Sequence, residues 1–210
     1  MAFYLIRHGE TAFNLNKKMQ GWLDIELNEL GQLQAEGLAN YLVDFHFDDA
    51  YSSDLKRAYQ TAEAYSRISH QHIKKDEMLR EIRLGSWEGK TWKEVKEEYE
   101  DFFSNKGLNH VEEKVHGGES LKEFRDRVVS HFMELARKHK DDDIIIFTHG
   151  GNIRMILLEI LNIPLEKREM IYIENASITV IAWNDDKSKL NIVKQNEIPY
   201  SIGDPHGNLT

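Results

Sequence analysis

Two short runs of apolar residues, at residues 3–6 and 144–147, are the strongest feature of the hydrophobic pattern. The first reads Phe-Tyr-Leu-Ile and the second Ile-Ile-Ile-Phe, and each is followed within a few residues by glycine. An uninterrupted run of this length, ended by a turn residue, is typical of a strand that is buried on both faces. We therefore predict two central strands of a parallel sheet.

Between and around these runs, apolar residues recur at helical spacing. Asn28 is predicted to cap a first helix, and Ser52 or Ser53 a second. Ser120 with Glu123 forms a capping box before a third helix, and a fourth follows the second apolar run. The face of the first helix that is expected to be buried consists of Leu30, Leu33, Leu38, Tyr41, Leu42 and Phe45.

Weaker patterns complete the predicted order of elements. Residues 73–78 predict a short strand and residues 91–103 a helix. Residues 177–183 and 190–195 alternate between apolar and polar positions around a polar turn, which predicts a β-hairpin. Strands that alternate with helices indicate an α/β fold. We predict a three-layer α/β/α sandwich whose mostly parallel sheet has an antiparallel edge.

Composition adds few constraints. The 210 residues are 40% hydrophobic and 30% charged, which is ordinary for a globular protein. We expect one domain over residues 1–210, with a polar, lid-like insertion at about 90–118. No apolar run reaches ~18 residues, so no membrane span is expected. The chain starts with a predicted strand rather than a basic leader and has no cysteine, which fits a cytoplasmic location.

The formal net charge of −9 argues against a nucleic-acid partner, because phosphates would be repelled at long range. It does not argue against a small anionic substrate, since a few clustered cations can reverse the field inside a cleft. We expect neither nucleic acid nor membrane as a partner.

Each central strand ends in a histidine that is followed by glycine, in Arg7-His8-Gly9 and in His149-Gly150-Gly151. If the strands are parallel neighbours, both histidines lie at the carboxyl edge of the sheet, where ligands bind in such folds. The glycines open a helix whose free N–H groups favour an anion. Arg57, early in the second helix, can face the same edge. Arginine suits phosphate oxygens, so these residues predict an anion pocket.

A metal site is the competing interpretation of the two histidines. Neither belongs to a recognised metal-binding spacing, and their neighbours are arginine and glycine rather than carboxylates. Arginines so close would repel a divalent cation. We therefore expect no metal and no other cofactor.

Further short blocks follow in a fixed order between residues 3 and about 180. They are Leu5-Ile6-Arg7-His8-Gly9-Glu10-Thr11 with Asn14, Gln20-Gly21, Ser52-Ser53-Asp54-Leu55-Lys56-Arg57-Ala58, Gln60-Thr61-Ala62, Leu79-Arg80-Glu81-Ile82, Gly85 with Trp87-Glu88-Gly89, Gly117-Gly118-Glu119-Ser120 and Thr148-His149-Gly150-Gly151. Together they resemble the phosphoglycerate-mutase-like branch of the histidine phosphatase superfamily. The resemblance implies that family's fold and phosphoryl transfer through a phosphohistidine.

The resemblance also implies roles for individual residues. His8 looks like the nucleophile, and a neutral imidazole is competent because its ordinary pKa is about 6.5. Its other ring N–H needs an acceptor, which we expect to be a nearby backbone carbonyl. Arg7, Arg57 and His149 resemble the clamp on the phosphoryl oxygens. Glu81 occupies the position of the general acid, which protonates the leaving alcohol and later activates water.

Five further residues have less direct roles. Asn14 resembles an additional phosphate ligand, Gln20-Gly21 a wall of the pocket, and Gly150 a backbone ligand at the helix N-terminus. Glu119 is expected to orient a residue of the clamp.

The family contains phosphatases, mutases and members without catalysis. Its mutases resemble one another in an insertion rich in lysine and arginine, whereas residues 90–116 here hold five lysines and seven acids, and no arginine lies between Arg83 and Arg125. Such a segment would leave the anions of a bisphosphorylated ligand unpaired, which is costly in a closed site. We predict a phosphomonoesterase for a small phosphorylated metabolite with an uncharged or apolar body. The alternatives are a cofactor-dependent phosphoglycerate mutase and, less favoured, a non-catalytic phosphate-binding domain.

Overall fold

The computed structural model describes residues 1–100 and 111–202, and its framework is one six-stranded sheet. The strand order is β3-β2-β4-β1-β5-β6. The first four strands in this order are parallel, and β5 runs antiparallel to both β1 and β6. The strands are β1 Ala2–Arg7, β2 Asp49–Ser52, β3 Ile73–Lys75, β4 Ile144–Thr148, β5 Ile178–Trp183 and β6 Leu190–Glu197.

The two strands predicted from the apolar runs are neighbours in the centre of this sheet. They pair in parallel with Phe3 opposite Ile144 and Arg7 opposite Thr148. Every residue of β4 is buried. The two histidine motifs therefore leave the sheet side by side at its carboxyl edge, as predicted.

Helices cover both faces of the sheet and complete the predicted three-layer sandwich. Over the described residues, the helices are α1 Ala12–Leu15, α2 Glu29–Leu42, α3 Lys56–Ser69, α4 Trp92–Glu98, α5 Leu121–Lys138 and α6 Gly150–Ile160, with short 3₁₀ helices at Glu77–Leu79, Gly85–Trp87 and Leu165–Met170. Ile144 and Ile146 of β4 belong to a cluster with α5 and α6, whereas Ile145 and Phe147 belong to a second cluster with α2 and α3. Side chains of β4 are thus buried on both faces of the sheet, which explains the uninterrupted apolar run.

Two predicted helix caps are confirmed. The Asn28 side chain accepts from the Gly31 amide, and Ser120 forms a reciprocal capping box with Glu123. The prediction for α3 was wrong, because this helix starts at Lys56 after Leu55 and has no side-chain cap. The Ser53 hydroxyl is engaged elsewhere, as described below.

The predicted buried face of α2 was also partly wrong. Leu30, Leu33 and Phe45 are 36–43% exposed. The buried side of α2 consists of Gly31, Gln34, Ala35, Gly37, Leu38, Ala39 and Leu42. Two of its small residues lie against other segments, Gly31 against the backbone of Glu10 and Gly37 against Tyr200. A pattern built on large apolar residues does not detect such a face.

The weaker predictions differ in outcome. The C-terminal hairpin is confirmed as β5 and β6, and the strand expected at residues 73–78 is present but ends at Lys75. The helix expected over residues 91–103 is present as Trp92–Glu98, and residues 101–103 of this prediction lie outside the described residues. Part of the predicted lid, residues 101–110, lies outside the described residues. Over the residues that the structure does describe, no helix is long and apolar enough to cross a membrane.

Candidate active site

A cleft of about 360 Å³ opens at the carboxyl edge of the sheet, where β1 and β4 end. It collects side chains from segments that are far apart in the sequence. The predicted site residues on its wall are Arg7, His8, Asn14, Gln20, Gly21, Arg57, Glu81 and Gly150. His149 is fully buried just behind this wall, with its ring centroid 5.2 Å from that of His8.

His8 is a buried imidazole with one nitrogen already engaged. Its Nδ1 lies 2.7 Å from the carbonyl oxygen of Gly9, so Nδ1 carries the proton and donates it. The expected backbone acceptor is thus identified. Burial, together with Arg57 and Arg7, holds the pKa of His8 well below its usual value. The ring is neutral at neutral pH, and Nε2 retains a free lone pair.

Arg57 is fully buried and is fixed by two carbonyl oxygens. Its guanidinium donates to Leu23 at 2.9 Å and to Gly21 at 2.8 Å. Gly21 has a φ of +49°, which favours glycine, and its carbonyl positions Arg57 from the wall of the cleft. Burial lowers the pKa of Arg57 to about 10, so the side chain stays charged at neutral pH. Its Nε has no hydrogen-bond partner among the described residues.

Arg7 ends β1 and donates through Nη1 to the carbonyl oxygen of Ile173. Its Nε is buried without a partner in the described part of the chain. Burial lowers the pKa of Arg7, and the nearby charge of Arg154 acts in the same direction. A Cβ at Gly150 would lie 3.2 Å from Arg7 Nε, so glycine lets the start of α6 approach this cation closely. Two arginine Nε–H groups without partners are what an oxyanion would satisfy.

His149 is the N-cap of α6 and is held by Ser53. Its Nε2 lies 2.9 Å from the Ser53 hydroxyl, whereas its Nδ1 is buried without a partner among the described residues. The Ser53 oxygen also accepts from the amide of Leu55 at 3.4 Å. Burial and the charge of Arg57 lower the pKa of His149, so this ring is also neutral. A hydroxyl that donates to Nε2 leaves the proton on Nδ1, where it can be donated to a ligand.

Asn14 and Gln20 complete the polar wall. The Asn14 side-chain oxygen accepts from the amide and hydroxyl of Thr11 and, at 3.3 Å, from Asn175 Nδ2. Its own NH₂ is therefore the group left for the cleft. Asn175 also donates to the His8 carbonyl at 3.0 Å, which fixes the turn after β1. The Gln20 side-chain oxygen is buried and has no partner among the described residues.

Glu81 reaches the same cleft from a loop between two 3₁₀ helices. Its carboxylate accepts from the amide of Gly151 at 3.0 Å and from the amide of Ile82 at 2.9 Å. A Cβ at Gly151 would lie 2.0 Å from a Glu81 carboxylate oxygen, so a side chain at this position would displace the carboxylate. The carboxyl group thus stands at the N-terminus of α6, on the wall of the cleft that His8 also lines.

Glu119 has a different contact from the one expected. It forms a two-pronged ion pair with Arg127, at 2.8 and 2.9 Å, and accepts from the Arg83 amide at 2.9 Å. Arg127 in turn donates to the carbonyl oxygens of Arg80 and Glu81. Glu119 therefore orients the loop that carries Glu81 rather than a residue of the clamp.

Sequence reasoning missed several residues of this site. Ser53 carried a signal, since it lies in a block shared with the family, but it was interpreted as a helix cap. Asn175 and Arg127 donate to backbone carbonyl oxygens. Contacts of this kind do not depend on the identity of the accepting residue, so they produce no sequence motif. Three further cations, Lys18, Arg154 and Arg168, lie on the wall of the cleft but belong to none of the blocks used above.

The donor set favours an anion and not a metal ion. Apart from the Glu81 carboxylate, the Gln20 side-chain oxygen and His8 Nε2, the polar groups described above are N–H donors of arginine, histidine and asparagine. Within residues 1–100 and 111–202, no group of three His, Cys, Asp or Glu side chains is placed to hold a metal ion. A neutral imidazole nitrogen surrounded by fixed cations and N–H donors is suited to attack on a phosphoryl group.

Comparison with known proteins agrees with this geometry. The family model of the histidine phosphatase superfamily (branch 1) matches residues 3–196. A metal-independent phosphoserine phosphatase of Arabidopsis thaliana is 36% identical over 189 residues, which cover 87% of this chain and 76% of the relative. Phosphoserine phosphatase 1 of Hydrogenobacter thermophilus is 32% identical over 191 residues, 90% of each chain.

A solved structure gives the same result for the fold. YhfR of Bacillus stearothermophilus superposes with a TM-score of 0.84 at 28% identity, over 94% of this chain and 97% of the other. The match of the family model to nearly the whole chain, with the two histidines and two arginines meeting in one cleft, leads to one conclusion. This protein belongs to the histidine phosphatase superfamily.

Proposed function

We propose that this histidine phosphatase hydrolyses phosphate monoesters of small metabolites through a phosphohistidine on His8. The observation that carries the proposal is the pairing of a neutral, tautomer-fixed imidazole with two charged, buried arginines whose Nε–H groups have no partner in the described residues. The names of the two phosphoserine phosphatases above support hydrolysis of a small phosphorylated metabolite.

In the first step, His8 Nε2 attacks phosphorus and the bond to the ester oxygen breaks. Glu81 donates a proton to that oxygen, so the leaving group departs as a neutral alcohol. The positive charge that develops on the imidazole is compensated by the phosphoryl group bound to it. The Gly9 carbonyl, which accepts from Nδ1–H, stabilises the ring during this change.

In the second step, a water molecule attacks the phosphohistidine. Glu81 takes a proton from this water, the P–N bond breaks, and His8 regains its neutral form as inorganic phosphate leaves. Arg7, Arg57, Asn14 and the Nδ1–H of His149 hold the equatorial oxygens in both steps. These fixed donors supply the charge stabilisation that a metallophosphatase obtains from its metal ion, so no divalent cation is required.

Hydrolysis is favoured over mutase activity by the charge of the segment near the cleft. The described lysines of this segment are largely engaged with carboxylates, since Lys90 contacts Glu98 at 2.6 Å and Lys114 contacts Glu123 at 2.6 Å. Few of its cations are thus left for the second phosphate of a bisphosphorylated ligand. Residues 90–118 acting as a lid, and a cytoplasmic location, are parts of this proposal that the chemistry above does not depend on.

The first prediction separates hydrolysis from mutase activity. Purified protein is incubated with p-nitrophenyl phosphate and with 3-phosphoglycerate, in the second case with and without 2,3-bisphosphoglycerate priming. We expect inorganic phosphate from the monoesters after exhaustive chelation, and negligible 2-phosphoglycerate. Mutase turnover that clearly exceeds hydrolysis under priming would contradict the proposal, as would activity that needs added metal.

The second prediction assigns His8 and Glu81. His8→Ala should abolish both turnover and acid-labile ³²P labelling, because no other side chain on the wall of the cleft is placed to accept the phosphoryl group. Glu81→Gln should lose roughly 100- to 10,000-fold in kcat on an alkyl phosphate. It should lose much less in the labelling step with p-nitrophenyl phosphate, since nitrophenolate leaves without a proton. His46→Ala, at an 88% exposed side chain, is the control. Equal losses on both esters would remove Glu81 from the acid role.

The third prediction concerns Ser53 as a positioning residue. Ser53→Ala removes the group that holds His149 Nε2, and we expect kcat to fall roughly 10- to 100-fold, as for loss of a buried hydrogen bond. The ¹⁵N spectrum of His149 should shift from the Nδ1–H tautomer towards a mixture. Ser52→Ala is the matched control, because its equally buried hydroxyl donates only to the Ser53 carbonyl. An unchanged His149 spectrum in Ser53→Ala would refute this role.

A further inference from the structure

The cleft contains more positive charge than a phosphoryl group needs. Five cationic side chains lie on its wall, and they are Arg7, Lys18, Arg57, Arg154 and Arg168. Glu81 is the one carboxylate among the described residues of the same wall. A phosphate monoester carries at most two negative charges, so two positive charges remain in excess once it is bound, even with Glu81 ionised. This excess occurs in a chain whose net charge is −9, so it is local to the cleft.

Arg154 is fixed in place but not neutralised. It lies on α6, one turn after the glycines that approach Arg7 and Glu81, and its Nε donates to the Ile171 carbonyl at 2.8 Å. Within the described part of the chain it forms no ion pair. Its charge also adds to the depression of the pKa of Arg7, so the two guanidinium groups repel each other across the cleft. A second anion between them would relieve this repulsion.

Arg168 is likewise not neutralised by a strong ion-pair partner. It lies on the 3₁₀ helix Leu165–Met170 with its side chain 18% exposed, and its Nη1 is buried without a partner among the described residues. Its ion-pair partner is Glu169, which contacts Nε at 3.4 Å and is itself 76% exposed. An exposed neighbour of this kind is a weak partner, because water screens it. The Nη edge of Arg168 is thus available to a ligand.

We propose that Arg154 and Arg168 bind a carboxylate on the leaving-group side of the substrate. This inference rests on the proposed phosphatase function and assigns the substrate class as small phosphorylated carboxylic acids. A carboxylate matches the planar donor fork of a guanidinium group. A second phosphate fits less well, since the described lysines of the nearby segment are engaged with carboxylates. The expectation that the substrate has an uncharged body was based on the charges of residues 90–116 alone. The excess cations of the cleft lie in other segments of the chain.

The test compares two esters that differ mainly in the carboxylate, namely 3-phosphoglycerate and glycerol 3-phosphate. We expect the wild-type kcat/KM to be at least about 10-fold higher for 3-phosphoglycerate, as for a charge-assisted hydrogen bond. Arg168→Gln and Arg154→Gln should each lower this ratio about 10-fold, mainly through KM of the acid. Arg137→Gln, at an exposed position on α5, should leave the ratio as it is in the wild type.

The two proposals fail in different ways. No phosphate release from either ester or from p-nitrophenyl phosphate would refute the phosphatase function. Release at equal efficiency from both esters would leave that function standing and overturn the carboxylate site. A loss in the arginine variants that is equal for both esters would also overturn it, because it would indicate a general structural role.

A binding measurement tests the site without turnover. Calorimetric titration of the His8→Ala variant retains Arg7 and Arg57, and it should give an affinity for 3-phosphoglycerate about 10-fold above that for glycerol 3-phosphate. The difference should disappear when Arg168→Gln is added. Equal affinities in the His8→Ala variant would contradict the proposed site whatever the outcome of the activity assays.

Discussion

The site depends on burial, which lowers the pKa of two kinds of base but leaves one kind neutral and the other charged. Removing a cationic group from water lowers its pKa, and in this cleft the same burial lowers the pKa of His8, His149, Arg7 and Arg57. The ordinary pKa of arginine lies far above that of histidine, which is about 6.5, so the same burial has different consequences for the two side chains. The imidazoles become neutral, whereas Arg57, with a pKa of about 10, stays charged. A neutral imidazole and charged guanidinium groups therefore coexist in one cleft, which is the combination that the proposed mechanism uses.

The fold supplies this environment by bringing two backbones unusually close together. β1 and β4 are parallel neighbours, so the turns that follow them meet. A Cβ at Gly9 would lie 2.5 Å from the Gly31 carbonyl oxygen, and one at Gly31 would lie 2.0 Å from the Glu10 carbonyl oxygen. On the other side, Asn152 of α6 donates to the Leu79 carbonyl at 2.8 Å, just before the loop that carries Glu81. These contacts fix the backbone of the segments that carry His8 and Glu81.

The sequence predicted the parts of the molecule that have a local pattern. Uninterrupted apolar runs identified β1 and β4, and the residues after them identified both histidines, because periodicity and turn chemistry are properties of neighbours in the chain. The sequence predictions failed where a side chain contacts a residue that is far away along the chain. Ser53 had the composition of a helix cap, and only the position of His149, 96 residues away, gives its hydroxyl another partner. In the sequence, Arg154 and Arg168 have the pattern of solvated surface charges. Only the folded structure places them on the same cleft wall as Arg7. The close approach of α2 to its neighbours depends on small residues, which contribute little to a hydrophobic pattern.

The proposed chemistry requires that His8 be a neutral Nδ1–H imidazole while the adjacent arginines are charged. Nitrogen-15 NMR of histidine-labelled protein, with His8 assigned from the His8→Ala spectrum, measures this directly between pH 7.5 and 5. Because the pKa of His8 is depressed, its proton-binding transition lies at lower pH than the usual value of about 6.5. We expect the Nδ1–H tautomer of His8 to persist unchanged through pH 6.5. An imidazolium spectrum that grows in at or above pH 6.5 would contradict it.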